Sequence, residues 1–185
     1  MHLEAKSVEI ANSIRSPEIS EAIVKLATQG GVEARGAVFT RAEVVDFILD
    51  LVGYTDDQPL YDKRLLEPSF GDGAFLVRVV ERLLNSWKLS KCTESAIDSL
   101  GDAIRAVEVH QATYTSTRSL ILSQLVGAGL SVQEATSLLD QWLLQDDFLL
   151  APIEGSFHFV ASNPPYVRQG LIPAPLLVEY RNRYK

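Results

Sequence analysis

Four short apolar segments separated by stretches of helical periodicity constrain this 185-residue chain more than any other feature. Leu65-Leu66, Ala103-Ile104-Arg105-Ala106-Val107, Leu143-Leu144 and Phe157-His158-Phe159-Val160-Ala161 read as strands. A helix over residues 73–87 carries Phe75, Leu76, Val79, Val80, Leu83 and Leu84 at 3.6-residue spacing, and another runs from about 112 to 125. A third opens with a capping box, Ser131 and Glu134, and leads into the third strand. Such alternation implies right-handed crossovers that lay successive strands side by side in one direction. The expected fold is α/β, a doubly wound, mostly parallel sheet.

The segment before the first strand divides in two. Residues 1–35 read as an N-terminal helical extension, with Ser16 as N-cap, Pro17 in the first turn, apolar Ile19, Ile23, Val24 and Leu26, and a stop at Gly30-Gly31. The main domain then occupies residues 36–185. It begins with Gly36-Ala37-Val38-Phe39, followed by a second capping-box pattern, Thr40 and Glu43. Val44, Val45, Ile48, Leu51 and Val52 form one expected helical stripe that Gly53 ends, and residues 54–63 read as a polar loop.

Several classes of protein are excluded. With 46% hydrophobic and 22% charged residues the chain is neither disordered nor fibrous. No apolar run approaches the ~18 residues of a membrane span, and the opening MHLEAKSVEI lacks the order of a signal peptide, which points to a cytoplasmic protein without membrane contact. One cysteine, Cys92, and three scattered histidines offer no metal-ligand spacing, so no metal site is expected. A net charge of −7 has the wrong sign for a surface that mainly grips phosphates. The basic run of Arg168, Arg181, Arg183 and Lys185, opposed only by Glu179, is either a local exception or a solvated helix end.

In open α/β sheets ligands sit beyond the carboxyl ends of the strands. After the first strand comes Glu67-Pro68-Ser69-Phe70-Gly71-Asp72-Gly73-Ala74-Phe75, whose two glycines let the main chain pass close under a ligand or serve turn geometry alone. The turn lacks both the Lys-Ser/Thr of a phosphate loop and the third glycine of a dinucleotide site. Glu108, just past the second strand, is a surface carboxylate or one that accepts both hydroxyls of a ribose. Asp146-Asp147-Phe148 is an ordinary loop, or one that accepts from an exocyclic amine and covers a base. Asn163-Pro164-Pro165-Tyr166 carries the most information. Two prolines stiffen the backbone and remove donors, leaving the Pro164 carbonyl and the Asn163 oxygen as acceptors beside the flat face of Tyr166. Such a pocket suits a planar group bearing an amine.

On these residues, from about Gly36 to Tyr184, the sequence resembles the gamma-type N6-adenine DNA methyltransferases of bacterial restriction–modification systems. The resemblance implies a Rossmann-like fold that binds S-adenosyl-L-methionine. It assigns Val38 and Thr40 to the methionine part of that cofactor, and Glu67, Pro68, Ser69, Gly71, Gly73 and Phe75 to the loop beneath it. Glu108 matches the ribose acid, Val109 lies under the adenine, and Asp147 and Phe148 match the adenine contacts. Asn163, Pro164, Pro165 and Tyr166 match the catalytic tetrapeptide. Arg41 stands where the family often has proline, and Ser69 where it often has alanine.

The resemblance also implies the reaction. Acceptors at Asn163 and Pro164 draw the adenine N6 toward tetrahedral geometry, and the base is flipped out of the duplex onto Tyr166. The family continues with further strands and a target-recognition domain, so this sequence looks like an N-terminal fragment or one piece of a split enzyme. The fragment is then expected to be inactive alone, with double-stranded DNA held mainly by the missing C-terminal domain and a restriction endonuclease as a further partner. Enzymes that methylate a protein glutamine or a guanine of ribosomal RNA resemble the same tetrapeptide, but residues 36–40 and the Phe75 ending favour DNA. A non-catalytic specificity or assembly subunit is the other alternative.

Overall fold

A computed structural model of the chain describes residues 15–28, 40–91, 94–167 and 169–184. Its centre is a four-stranded, all-parallel sheet in the order β3-β2-β1-β4, formed by β1 (Leu65–Glu67), β2 (Ile104–Glu108), β3 (Leu143–Gln145) and β4 (Phe159–Val160). Leu65 pairs with Ile104 on one side and Phe159 on the other, and Ala106 pairs with Leu143. All three residues of β1 are buried, as expected of an inner strand in a parallel sheet. This is the α/β parallel architecture that the alternation predicts and the Rossmann-like fold that the resemblance implies.

The helices are α1 (Pro17–Ala27), α2 (Ala42–Leu51), α3 (Ala74–Ser90), α4 (Ala96–Leu100), α5 (Gln111–Gly127), α6 (Val132–Trp142) and α7 (Ala174–Arg183). The periodicity of α3 is fully used: Phe75, Leu76, Val79, Val80, Leu83 and Leu84 are all buried. Ser86 interrupts this apolar face for a reason, since its hydroxyl accepts from Leu60 N at 3.0 Å and donates to Gln58 O, pinning the connection before β1. The capping box of Ser131 and Glu134 forms as expected. Ser16 caps α1 by accepting from Ile19 N, with Pro17 in the first turn. Among the described residues, no helix is long and apolar enough to cross a membrane.

Several expectations need correction. The Thr40–Glu43 capping box does not form: α2 begins one residue later, with Arg41 as N-cap and no side-chain cap. The stripe of α2 is narrower than its spacing suggested, because Val45 and Leu49 are fully buried while Leu51 is 74% exposed and Val44 and Val52 are also exposed. In place of a wide apolar face, ion pairs hold the helix, with Arg78 and Arg82 of α3 reaching Asp46 and Arg82 also reaching Asp50. The loop over 54–63 contains a 3₁₀ turn, Leu60–Asp62, and buries Tyr54 and Leu60. The fourth strand shrinks to two residues, α4 is unanticipated, and α7, expected only as a solvated helix end, buries Leu176.

Two apolar clusters result. The larger packs α2 to α6 against the sheet around Trp142, whose indole N–H donates to Leu100 O at 2.8 Å. The smaller joins Ala22 and Leu26 of α1, Leu150, and Leu176 of α7. Helices from opposite ends of the chain therefore meet, and their meeting place borders the site.

Candidate cofactor and target site

The strand order determines where a ligand can sit. The chain leaves β1 toward β2 and β3, then returns to the other side of β1 as β4, so a crevice opens between the carboxyl ends of β1 and β4. Ala161 N donates to Leu66 O at 3.1 Å, and the Ser162 hydroxyl donates to Ser69 O at 3.4 Å. These bonds carry residues 163–166 up beside the Glu67-Pro68-Ser69 turn.

The glycine turn is built for close approach. Gly71 and Gly73 have φ of 51° and 85°, in the left-handed region that side chains disfavour. A Cβ on Gly73 would stand 2.7 Å from Thr117 Cγ2 of α5, and the Thr117 hydroxyl donates to Gly71 O at 2.8 Å. In a phosphate loop the turn's amides point at the ligand. Here Gly71 N donates instead to Glu108 Oε2 at 2.9 Å, while His110 N donates to Glu108 Oε1 at 2.8 Å. A carboxylate has about four lone-pair sites, so Glu108 keeps acceptor capacity after both bonds.

Glu67 ends β1 with 1% exposure, and its Oε2 has no hydrogen-bond partner. Burial, then the neighbouring Glu108 and Asp72 carboxylates, push its carboxyl well above the usual range. An unmet buried acceptor is costly and needs a reason. Glu67 immediately precedes Pro68 and Ser69, which line the cavity described below.

Beyond β3, Asp146 and Asp147 are both buried. The Arg15 guanidinium donates to both oxygens of Asp146 at 2.7 Å and to Leu150 O at 2.6 Å. Asp147 Oδ1 accepts from Leu149 N at 2.9 Å, and Oδ2 accepts from the Tyr180 hydroxyl of α7. Burial raises the Asp147 carboxyl above its ordinary range, and the Tyr180 bond works against that rise.

A cavity of about 280 Å³ joins these elements. Of the residues singled out from the sequence, Pro68, Ser69, Val109, Asp147, Phe148, Pro164 and Pro165 line it together. Leu26, His110, Asp146, Leu149, Val167, Ile172 and Tyr180 complete the wall. Most of these gave no sequence signal, since a leucine or tyrosine on a helix from a distant part of the chain looks like any core residue. Glu67, Gly71, Gly73 and Glu108 lie outside that lining, and Phe75 is buried in the main core. Thr40 and Asn163 also lie outside it but meet each other, Asn163 Nδ2 donating to Thr40 Oγ1 at 3.2 Å. Tyr166 is 71% exposed. Val38 lies outside the described residues.

A parallel sheet with a glycine turn, two buried strand-end glutamates and a proline-rich turn across its switch point defines a Rossmann-like fold with a candidate ligand site at the strand ends. The chain belongs to the N-6 DNA methylase family, whose model matches residues 18–174. It is 62% identical over 160 residues to the type II methyltransferase M.PaeR7I of Pseudomonas aeruginosa, which covers 86% of this chain and 28% of that protein. It is also 48% identical to the type II methyltransferase M.XhoI of Xanthomonas vasicola over 155 residues, 83% of this chain and 28% of the relative. A third relative, the type II methyltransferase M.BstVI of Geobacillus stearothermophilus, is 43% identical over 164 residues, 86% of this chain and 29% of its own length. The chain thus spans less than a third of the length of these relatives.

Proposed function

We propose that these residues form the cofactor- and amine-binding part of an S-adenosylmethionine-dependent DNA adenine-N6 methyltransferase acting in a restriction–modification system. The observation that carries this reading is the make-up of the crevice, where apolar walls from Val109, Phe148, Pro164 and Pro165 enclose the buried Asp146 and Asp147 carboxylates. Asp146 and Asp147 line it, Arg15 neutralises Asp146, and Glu67 and Glu108 lie buried just outside at the strand ends. That set repels the phosphates of ATP or NAD and suits a cationic nucleoside whose ribose hydroxyls and amines are donors. When bound, S-adenosylmethionine supplies an electrophilic methyl group to the target amine.

The protein's own residues then have separate roles. Glu108 accepts from ribose hydroxyls with its remaining lone pairs, and Asp147 accepts from the adenine amine while Val109 and Phe148 flank the ring. Glu67 offers its unpartnered oxygen to the donors or the positive charge above it. On the target side, the Thr40 contact commits the Asn163 amide nitrogen, which leaves Asn163 Oδ1 and the Pro164 carbonyl to accept from the amine of the flipped adenine. Pro165 stiffens the turn, and the exposed ring of Tyr166 stacks on the base, offsetting part of the few kcal/mol of unstacking. No strong base is needed, because positioning and preorganised acceptors supply the catalysis. Sequence-specific grip on duplex DNA is assigned to the remaining length of the relatives, in keeping with a net charge of −7 on these residues.

The test is methyl transfer into duplex DNA by the full-length protein. Asn163→Ala lowers the rate by roughly 10²–10³, as removal of one preorganised polar group does in comparable sites. Mass spectrometry of the digested product finds N6-methyladenine. Activity within a few-fold of the unaltered enzyme, or methyl groups on cytosine, on a protein or on RNA, overturns the reading.

A further inference from the structure

We propose that Tyr180 is a positioning residue for the cofactor's nucleobase, its hydroxyl holding the Asp147 carboxylate at the cavity as the acceptor for an exocyclic amine. The proposal rests on the S-adenosylmethionine reading and extends it to a residue that neither strand end nor motif supplies.

The geometry begins with α7. Leu176, fully buried, anchors the helix in the small cluster with Ala22, Leu26 and Leu150. Residues four apart share a helix face, so Tyr180 and Tyr184 follow Leu176 along the line that meets the loop after β3. Both hydroxyls are used there: Tyr180 donates to Asp147 Oδ2 and Tyr184 donates to Leu149 O at 2.7 Å. Arg15 holds the same loop from the other end of the chain through Asp146 and Leu150. Residues 146–150 are thus fastened from outside at four points, yet Tyr180 alone among these fastenings reaches the carboxylate adjoining Val109 and Phe148, and it lines the cavity itself.

The chemistry gives this contact a purpose beyond packing. Asp147 is 6% exposed, and burial favours its protonated form. A protonated carboxyl would turn an O–H toward the amine it should accept from. The Tyr180 hydroxyl and Leu149 N both donate to the ionised form and oppose that outcome. They occupy one lone pair on each oxygen and leave the others open to the ligand.

The experiment uses the full-length protein, titrated calorimetrically with S-adenosylhomocysteine and with its inosine counterpart, in which oxygen replaces the exocyclic amine. The unaltered protein should prefer the amine by roughly 10-fold or more, the value of a hydrogen bond to a charged group. In Tyr180→Phe that preference falls below about threefold through weaker binding of the amine ligand alone. In an Asp147→Ala background the same substitution changes the preference no further. Tyr180→Phe keeps the ring, so the packing of α7 is retained, and an unchanged melting temperature confirms it. Equal weakening toward both ligands, or a preserved preference, overturns the positioning role while leaving the cofactor reading standing. An unaltered protein that binds neither ligand overturns both.

Discussion

Asn163 Nδ2 donates to Thr40 Oγ1 at 3.2 Å, tying together two residues 123 positions apart, the first of them next to Pro164 of the cavity wall. An amide with its nitrogen committed has a fixed orientation, so its oxygen faces one way only. Thr40→Val removes the acceptor and frees that rotation. The expected result is a fall in kcat of about fivefold, equivalent to one neutral hydrogen bond, with KM for S-adenosylmethionine changed less than about twofold. Steady-state kinetics of the full-length enzyme checks it, and a loss confined to KM would place Thr40 with the cofactor instead.

The same residue shows where local pattern and tertiary structure part company. Thr40-Arg41-Ala42-Glu43 and Ser131-Val132-Gln133-Glu134 carry the same capping signature, and the second forms it in full. The first fails because α2 starts after Arg41, which puts Glu43 one position too early, while the Thr40 hydroxyl receives Asn163 from across the fold. No local rule contains that partner.

Gly73→Ala tests the turn under the proposed cofactor. The substitution meets left-handed strain of about 1–2 kcal/mol at φ 85° and crowding of about 1–3 kcal/mol from a Cβ 2.7 Å from Thr117 Cγ2, for a total of about 2–5 kcal/mol. Thr117→Ser in that background removes the obstructing methyl and keeps the hydroxyl that serves Gly71. Urea denaturation should then recover the part due to crowding and leave the strain.

Glu67 predicts an inverted pH dependence. Its carboxyl is raised in the folded protein above the ordinary 4.5, so the native state holds a proton that the unfolded chain releases. That contribution is complete below the ordinary value and is lost as pH rises toward the folded one. Glu67→Gln, neutral throughout, should therefore melt above the unaltered protein at pH 8 and nearly with it at pH 4–5. The gap amounts to about 2–4 °C for each kcal/mol relieved. Calorimetric scans across pH decide the matter, and parallel curves would refute it. The stabilised variant should also bind S-adenosylmethionine less well, the usual cost of relieving a site of its strain.

Arg15→Ala addresses the buried ion pair, whose side chains are 7% and 8% exposed. Leaving Asp146 unpaired costs about 3–5 kcal/mol in denaturant unfolding. The double change Arg15→Met with Asp146→Asn keeps an acceptor for Asp147 N and should restore most of that loss. A single variant as stable as the parent would show the pair to be incidental.

What was legible in the sequence follows from the range of the forces involved. Strands, α3 and the turns at their ends rest on periodicity and on residue types within a few positions, and all were visible. Glu67, Glu108, Asp147 and Asn163 were visible because chemistry at a strand end stands out against an apolar run. Arg15 and Tyr180 were not, because their partners lie 131 and 33 residues away. The helix bearing Tyr180 is nearly as polar inside as out, with Leu176 its one buried residue, so it left no stripe to find. On α2 the misleading signal ran the other way, since Leu51 and Val52 continue a plausible face that the fold leaves in solvent.

The packing of α1 against α7 sets an order on biosynthesis. A ribosome delivers Leu26 early and Tyr180 more than 150 residues later, yet they are neighbours across one cavity. The four described strands and the glycine turn have all left the ribosome once β4 has, whereas the wall over residues 146–150 must wait for Ala174–Arg183. Within these residues, therefore, every strand is available before the last wall of the pocket can close.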